Sequence, residues 1–332
     1  MKRLIFAALG TALLAVAGLA GRAEAQGAPP SPPVQWPQRQ VTVIVPFTAG
    51  GTTDLFARIF AQAMQQKFGV PFVVENRAGA GGTVGAGHAA RQANDGYTLF
   101  VGTASTHAIA PYVYKSLPYD PGKDFQTVSL FATLPNLLVI NPRIPARTLP
   151  ELITYVRANS GKLNYGSSGI GASNHIPAEI FQNMTGAKMT HIPFRSSNEI
   201  MNALAGGHLD LAFDNMTLAW PQAQGGTVRA IAVTSRERSP TAPDVPAIAE
   251  TLPGFDVATW HGLFAPAGTP RPVVDLISTE VRRIYSQPDV IAKLKEIGAV
   301  AAPNSPDEFA AFSAAERDRY RDIVKAAGIE PQ

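Results

Sequence analysis

The chain has 332 residues, with 28 Lys and Arg against 25 Asp and Glu, and it contains no cysteine. Disulfides, thiolate catalysis, cysteine-bound metal and a lipid on an N-terminal cysteine are therefore excluded. Residues 1–25 hold three of the basic residues and one of the acidic ones, so the rest of the chain is nearly neutral and its charge favours neither nucleic acid nor an anionic membrane. The length predicts two lobes of roughly 100 to 200 residues each.

The N-terminus has the pattern of a secretory signal peptide. Lys2 and Arg3 precede an uncharged apolar stretch, and Ala23-Glu24-Ala25 is a small-x-small cleavage sequence. We expect a signal peptide over 1–25, cleaved after Ala25, and a proline-rich extended linker over 26–37. No later run is apolar and long enough to span a bilayer, so we expect a soluble mature protein.

Short apolar runs then alternate with helical patterns. Val41 to Val45 is β-branched, and the apolar positions from Leu55 to Phe68 have helical spacing that ends at Gly69. Further strands are predicted at 72–74, 98–101, 136–140, 163–165, 209–213 and 228–233. Alternation at this spacing predicts an α/β fold with a mainly parallel sheet covered on both faces.

Three helix starts carry a capping-box pattern, in which a hydroxyl residue is followed three positions later by Glu. These are Thr148 with Glu151, Ser196 with Glu199, and Ser305 with Glu308. The last of these helices is predicted to end at Gly328.

The segment from Pro46 to Asp54 lies between the first strand and the first helix. Its glycine pair allows a ligand to approach the backbone, and the free N–H groups of the helix start suit a carboxylate or phosphate. A tight turn in which Asp54 or Thr53 only caps the helix fits the segment equally well. The Lys of a nucleotide phosphate loop is missing.

A second glycine- and hydroxyl-rich turn runs from Asn164 to His175, again between a strand and a helix. It repeats the same arrangement of small residues, N–H groups and hydroxyls. Two such turns in separate halves of the chain predict the two sides of one anion-binding cleft.

Enzyme and metal patterns are weak. The run Gly166 to Gly169 lacks the spacing of a nucleophile elbow, and 85–90 fits a dinucleotide motif but follows no strand directly. The glycine-rich stretch 79–87 is predicted to be a flexible loop before a helix. The histidines show no metal-binding spacing, so neither a metal nor a cofactor is expected: His88, His107, His175, His191, His208 and His261.

Several motifs together resemble the Bug or TctC family, the extracytoplasmic receptors of tripartite tricarboxylate transporters. They are the signal peptide, Val45 to Asp54, Glu75 to Gly82, Asp95 to Leu99, the 166–175 turn and Gly206-x-x-x-Asp210. The resemblance covers about 39 to 328. It implies a type II periplasmic-binding-protein fold, with two α/β lobes joined by crossover strands near 132–140 and 256–263 and a ligand cleft between them. Lobe one would comprise 38–134 and 262–332, and lobe two 135–261.

The resemblance also implies ligand-binding residues. Matched position by position, they are Phe47, Ala49, Gly50, Thr53 and Asp54 in the first loop, Thr103 and Thr106 in a loop that also holds Ser105 and His107, Ser167, Ser168, Gly169 and Ser173 in the opposing loop, and Asp214. Arg195 replaces a Lys found in many members and either offers a fork to a second carboxylate or lies in solvent. Trp260 either borders the cleft or packs the hinge.

The function that follows is that of a non-enzymatic, monomeric receptor in the periplasm. It would close around a small organic acid and present it to integral-membrane transporter subunits. A ligand-binding component of a sensory system is the first alternative. The second is a serine hydrolase that uses Ser167 or Ser168 with a His.

Overall fold

The computed structural model describes residues 35–332, so the predicted signal peptide and most of the predicted linker lie outside the described residues. Trp36, inside the predicted linker, is 6% exposed. Its ring packs edge-on against Phe68 and Phe72, with centroid distances of 5.9 and 6.1 Å. Ordered packing therefore includes a residue of the predicted linker.

Within residues 35–332 the strands are β1 (Val41–Val45), β2 (Phe72–Asn76), β3 (Thr98–Thr103), β4 (Phe125–Ile140), β5 (Asn164–Ser167), β6 (Thr190–Pro193), β7 (Leu211–Asn215), β8 (Arg229–Val233), β9 (Ala258–Pro266) and β10 (Val300–Ala301). The helices are α1 (Thr52–Phe68), α2 (Thr83–Ala90), α3 (Ala110–Val113), α4 (Leu149–Ala158), α5 (Ile176–Thr185), α6 (Ser197–Ala205), α7 (Met216–Gln224), α8 (Arg271–Tyr285), α9 (Pro288–Glu296) and α10 (Pro306–Ala326). A 3₁₀ turn (Ala80–Gly82) precedes α2, and a π turn (Ser105–Ile109) precedes α3.

The strands form one continuous sheet in the order β2-β1-β3-β9-β4-β7-β5-β6, and β8 and β10 also pair with β4. The long strand β4 joins two parts of this sheet. Its residues up to Pro135 pair with β9, and its residues from Asn136 pair with β7. We call β1, β2, β3, β9 and β10 the first part of the sheet, and β5 to β8 the second part.

The expectation of a mainly parallel sheet is wrong for the centre of the molecule. The outer strands are parallel, as β1 is to β2 and β3, and β5 is to β6 and β7. However, β4 is antiparallel to β7, β8, β9 and β10, and β3 is antiparallel to β9. The physical reason is that β4 and β9 are not part of strand-helix-strand crossovers, which are what make neighbouring strands parallel.

The predicted helix starts are confirmed, with a difference in their capping. Thr148 and Ser196 accept hydrogen bonds from the N–H groups of Glu151 and Glu199, as expected. The return bond from Glu to the cap N–H forms only at Ser305. In the other two helices the Glu carboxylate accepts from the N–H of the residue before the cap.

The glycine-rich stretch 79–87 is not a loop throughout, because α2 already begins at Thr83. Gly85 lies inside this helix, where an added Cβ would be 2.7 Å from the Arg77 carbonyl oxygen and 2.8 Å from the Pro46 Cα. The glycines thus allow α2 to pack directly against the loop that follows β1. This close packing outweighs their low helix propensity.

Candidate functional site

The loop after β1 leads into α1 and leaves the start of that helix uncapped. Gly50 has a left-handed conformation with φ 79°. Gly51 is extended, and no side chain accepts a hydrogen bond at this helix start. The first N–H groups of an α-helix have no partner inside the helix, and together with the helix dipole they favour an anion. The start of α1 is therefore available to a ligand.

Asp54 anchors this loop from behind. Its carboxylate accepts hydrogen bonds from the Gly50 N–H at 2.9 Å, from Asn76 Nδ2 at 3.0 Å and from Arg58 Nε at 2.8 Å. Burial raises the pKa of Asp54, but the bonds from Arg58, Gly50 and Asn76 outweigh it and hold the pKa below its usual value. Asp54 is thus an ionised support of the loop rather than a group in the cleft.

The opposing loop, residues 168–175, is held by uncharged groups. The Ser168 N–H donates to Asn174 Oδ1 at 3.0 Å, and Asn174 Nδ2 donates to Ser168 Oγ at 3.1 Å. Asn136 on β4 donates from Nδ2 to the Ser173 carbonyl at 2.8 Å. Gly169 has φ 112°, a backbone conformation that favours glycine. This loop therefore depends on amide hydrogen bonds for its shape.

Two further helix starts reach the same region from the second part of the sheet. Ser196 and Ser197 lie at the start of α6, and Asn215 directly precedes α7, whose start has no side-chain cap. Behind them lies Asp214, which is fully buried and accepts from Ser197 Oγ at 2.7 Å and from the Asn215 N–H at 2.7 Å. Burial raises the pKa of Asp214 to about 6, even though these two bonds act to lower it.

These elements enclose a cleft with about 430 Å³ of empty space, including its opening to solvent. Among the described residues, those that line it carry no Lys, Arg, Asp or Glu. Most of them bear hydroxyl groups. They are Phe47, Thr48, Gly51, Thr52, Thr53, Thr103, Ser105, Ser168, Ala172, Ser173, Asn174, Ser196, Ser197, Asn215 and His261. An anion in this cleft would meet N–H and O–H donors and no counter-ion.

Direct hydrogen bonds cross the cleft. The Ser173 N–H donates to Ser105 Oγ at 2.9 Å, and the Thr52 and Thr217 hydroxyls are 2.5 Å apart. Tyr114 donates to the Ile170 carbonyl at 2.7 Å. The two sides are thus in contact in this structure, as they would be around an enclosed ligand.

The structure brings only part of the predicted set to the cleft surface. Phe47, Thr53, Thr103, Ser168 and Ser173 line it. The remaining predicted residues are not among the lining residues: Ala49, Gly50, Asp54, Thr106, Ser167, Gly169, Arg195 and Asp214.

The roles of some of these residues are visible in their contacts. The Thr106 hydroxyl closes a turn by bonding the Thr103 N–H and carbonyl. Arg195 is exposed, and its N–H bonds Glu199. Trp260 packs edge-on against Phe309 and Phe312 and is not a lining residue.

Several lining residues were not among the sequence-predicted site residues. Thr48, Gly51 and Thr52 belong to the predicted loop, and Ala172 and Asn174 to the opposing one. Ser196 and Ser197 carried only the signal of a helix start, and Asn215 carried none beyond its place next to Asp214. His261 carried no signal, because only the pairing of β9 with β3 brings it to the cleft.

The Ser167–His191 contact bears on the hydrolase alternative. Ser167 Oγ lies 2.6 Å from His191 Nε2, but Ser167 is fully buried and its hydroxyl also bonds the Gly169 N–H and carbonyl. Burial lowers the pKa of His191 to about 4. Neither residue lines the cleft, so the pair fixes the turn at Gly169 onto β6.

Two sheet parts joined by β4, with a cleft between loops from both parts, are typical of a periplasmic-binding-protein fold. Solved structures confirm this fold. The Rhodopseudomonas palustris protein Rpa4515 with adipate has a TM-score of 0.87 and 38% identity, covering 90% of this chain and 100% of that one. MatC from the same organism, with bound malate, has a TM-score of 0.83 and 36% identity, covering 87% and 100%.

The family follows from two matches. Residues 56–329 match TctC, described as the tripartite tricarboxylate transporter family receptor. Protein BugT of Bordetella pertussis is 33% identical over 322 residues, which cover 96% of this chain and 98% of BugT. The chain belongs to the Bug/TctC family of substrate-binding receptors, as its motifs indicated.

Within residues 35–332, no helix combines the length and the apolar character needed to cross a membrane.

Proposed function

We propose that this protein is an exported receptor that binds a small organic acid in the cleft and delivers it to a tripartite tricarboxylate transporter. One observation carries the proposal: none of the described residues that line the cleft is charged, yet the start of α1 and the helix starts at Ser197 and Asn215 converge on it. Helix N-termini with free N–H groups bind carboxylates without a cationic side chain.

The N–H groups of Thr52 and Thr53 would hold the carboxylate. Phe47, Thr53, Thr103, Ser168 and Ser173 would contact the ligand directly. The other predicted residues would act indirectly, as Asp54 does through the loop at Gly50. The related structures that contain adipate and malate support a small carboxylate as the ligand class.

The proposal includes a motion and a place in the cell. Lobe one (38–134 and 262–332) and lobe two (135–261) would rotate about the crossover strands, and contacts such as Tyr114 to Ile170 would form on closure. The protein would work as a periplasmic monomer without catalysis, and its partners would be the integral-membrane subunits of the transporter.

Thermal unfolding of refolded residues 26–332 with a panel of mono-, di- and tricarboxylates tests the proposal. A ligand that binds only the folded state raises the melting temperature. We expect a clear rise with one class of acid. Ser168→Leu, which fills the cleft, should abolish the rise, whereas Ser116→Leu at an exposed serine should keep it. No rise with any acid, or an undiminished rise in Ser168→Leu, would refute binding at this site.

Export has its own test. Mass spectrometry of the protein isolated from the periplasmic fraction of its bacterial host should give a chain that begins at Gln26. A chain that retains residues 1–25 in the cytoplasmic fraction would contradict the proposed location.

A further inference from the structure

Among the described residues, four that line the cleft have a buried side-chain polar atom without a partner, and two of them, Thr103 and His261, face each other across neighbouring strands. Thr103 on β3 and His261 on β9 are directly opposite each other in the antiparallel pair, so their side chains lie on the same face of the sheet. Both line the cleft and are almost fully buried, with exposed fractions of 1% and 2%.

Among the described residues, neither Thr103 Oγ1 nor His261 Nδ1 has a hydrogen-bond partner. The turn at Thr103 uses only its backbone, which bonds the Thr106 hydroxyl. A buried polar atom without a partner costs about 1–3 kcal/mol. A ligand that supplies a partner to these two atoms recovers that cost, and a ligand without one does not.

Contacts hold the His261 ring in place, and burial determines its charge. Its Nε2 is 3.1 Å from Thr53 Oγ1, and its ring packs edge-on against Phe56 at 5.0 Å. Burial lowers the pKa of His261 to about 3, so the imidazole is neutral near neutral pH. One ring nitrogen of a neutral imidazole donates and the other accepts. A hydroxyl group can satisfy Nδ1 in either tautomer, since it both donates and accepts.

Thr103 and His261 lie close to the place proposed for the carboxylate of the ligand. Thr53, which His261 contacts, is in the first turn of α1, where the proposed function places the carboxylate. The unpartnered atoms would therefore lie close to a carboxylate bound at the start of α1. An ammonium group at this point would find no carboxylate among the described residues that line the cleft.

We propose that Thr103 and His261 select acids that carry a hydroxyl group close to the bound carboxylate, that is, 2-hydroxy acids. The inference rests on the proposed function. It adds a substrate class and two specificity-determining residues to it.

Calorimetric titration of the refolded chain with matched acids tests the selection. The pairs are lactate and propionate, malate and succinate, and 2-hydroxyglutarate and glutarate. In the pair whose length fits the cleft, we expect the hydroxy acid to bind at least about tenfold more tightly, as a recovered hydrogen bond implies.

Two variants assign the preference to these residues. His261→Phe keeps a ring against Phe56 and removes both nitrogens, and Thr103→Val removes only the hydroxyl. Each should lower the ratio of hydroxy-acid affinity to deoxy-acid affinity by about tenfold. Thr259→Val is the matched control, because Thr259 has an equally buried and unpartnered hydroxyl on β9 but does not line the cleft.

The outcomes separate the two proposals. If acids bind without a preference for the hydroxyl, or if the preference survives in both Thr103→Val and His261→Phe, the selection is refuted and the receptor function stands. If none of the acids binds and none in the wider panel stabilises the protein, the receptor function itself fails, and the selection fails with it.

Discussion

The two sides of the cleft each have a buried carboxyl group behind a helix start, but the two groups are in opposite electrostatic situations. Asp54, behind α1, pairs with Arg58 and accepts two further hydrogen bonds. Asp214, behind α6 and α7, accepts from the Ser197 hydroxyl and the Asn215 N–H, and the Asn174 amide also acts to lower its pKa, but among the described residues no cation pairs with it. The first carboxylate is compensated and stabilises its loop. The second is costly when it is ionised.

A cleft whose described lining residues are uncharged can still depend on the carboxyl groups behind them. On the first side the anchoring residues are near in sequence, because Asp54, Arg58 and Asn76 lie within 23 positions of each other. On the second side the loop 168–175 is held by Asn136 and by the cross-cleft contact to Ser105. The first side is therefore preformed, whereas the second acquires part of its support from the opposite side.

The largest effect is expected for Asp54→Ala. The substitution leaves the Gly50 N–H without its acceptor and Arg58 without its partner, so we expect a loss of about 3–4 kcal/mol in the free energy of unfolding. Acid affinity should fall more than tenfold. Urea unfolding and calorimetric titration measure the two effects. Arg321→Ala, which breaks an exposed ion pair, should change the stability by less than about 1 kcal/mol.

A change of opposite sign is expected for Asp214→Asn. Because the pKa of Asp214 is raised in the folded protein, its stabilising contribution is full below about pH 4 and is lost as the pH rises through about 6. The side-chain oxygen of Asn can accept the same two hydrogen bonds, and the amide has no charge to desolvate. The variant should therefore gain about 2–3 kcal/mol over the wild type between pH 4 and pH 7.

Urea unfolding of both proteins at intervals from pH 4 to pH 8 measures this difference. The other titrating groups are common to both chains, so only Asp214 contributes to the difference between the curves. Parallel curves would show that Asp214 is not a costly buried charge.

A smaller effect is expected for Asn174→Ala on the second side. The amide bonds Ser168 through both its oxygen and its nitrogen, so its loss should cost about 1–2 kcal/mol and weaken acid binding. Asn202→Ala, on the exposed face of α6, is the control. Unchanged binding in Asn174→Ala would mean that the loop keeps its shape without the amide.

The smallest effect is expected for Tyr114→Phe, which removes one neutral hydrogen bond across the cleft. If this bond forms on closure, acid affinity should fall about fivefold, which corresponds to roughly 1 kcal/mol. Stability without ligand should change little. A loss of stability with unchanged affinity would instead assign Tyr114 to the ligand-free fold.

Local patterns predicted the helix starts and the two cleft loops, because capping hydroxyls and glycine turns act over a few residues. The apolar pattern missed the first eleven residues of β4, 125–135, since Gln126, Thr127, Ser129 and Thr133 interrupt the apolar run. Its antiparallel pairing with β9 joins segments more than 100 residues apart, and no local pattern determines such a pairing.

The limits of the site prediction have the same origin. The family resemblance implied that Asp54 and Asp214 bind the ligand, but the direction of each side chain depends on partners such as Asn76 and Ser197. His261 reaches the cleft through the register of β9 with β3. Which residues line the cleft is therefore a property of the tertiary structure.

The central claim is that backbone N–H groups at the start of α1 hold the carboxylate. Thr52 is the first residue of this helix, a position where proline is tolerated, and the extended conformation of Gly51 is compatible with a following proline. Thr52→Pro therefore removes one N–H with little strain, and Thr52→Ala removes the same hydroxyl and keeps the N–H. Calorimetric titration should give at least about tenfold weaker acid binding for Thr52→Pro than for Thr52→Ala. Equal affinities of the two variants would contradict the claim.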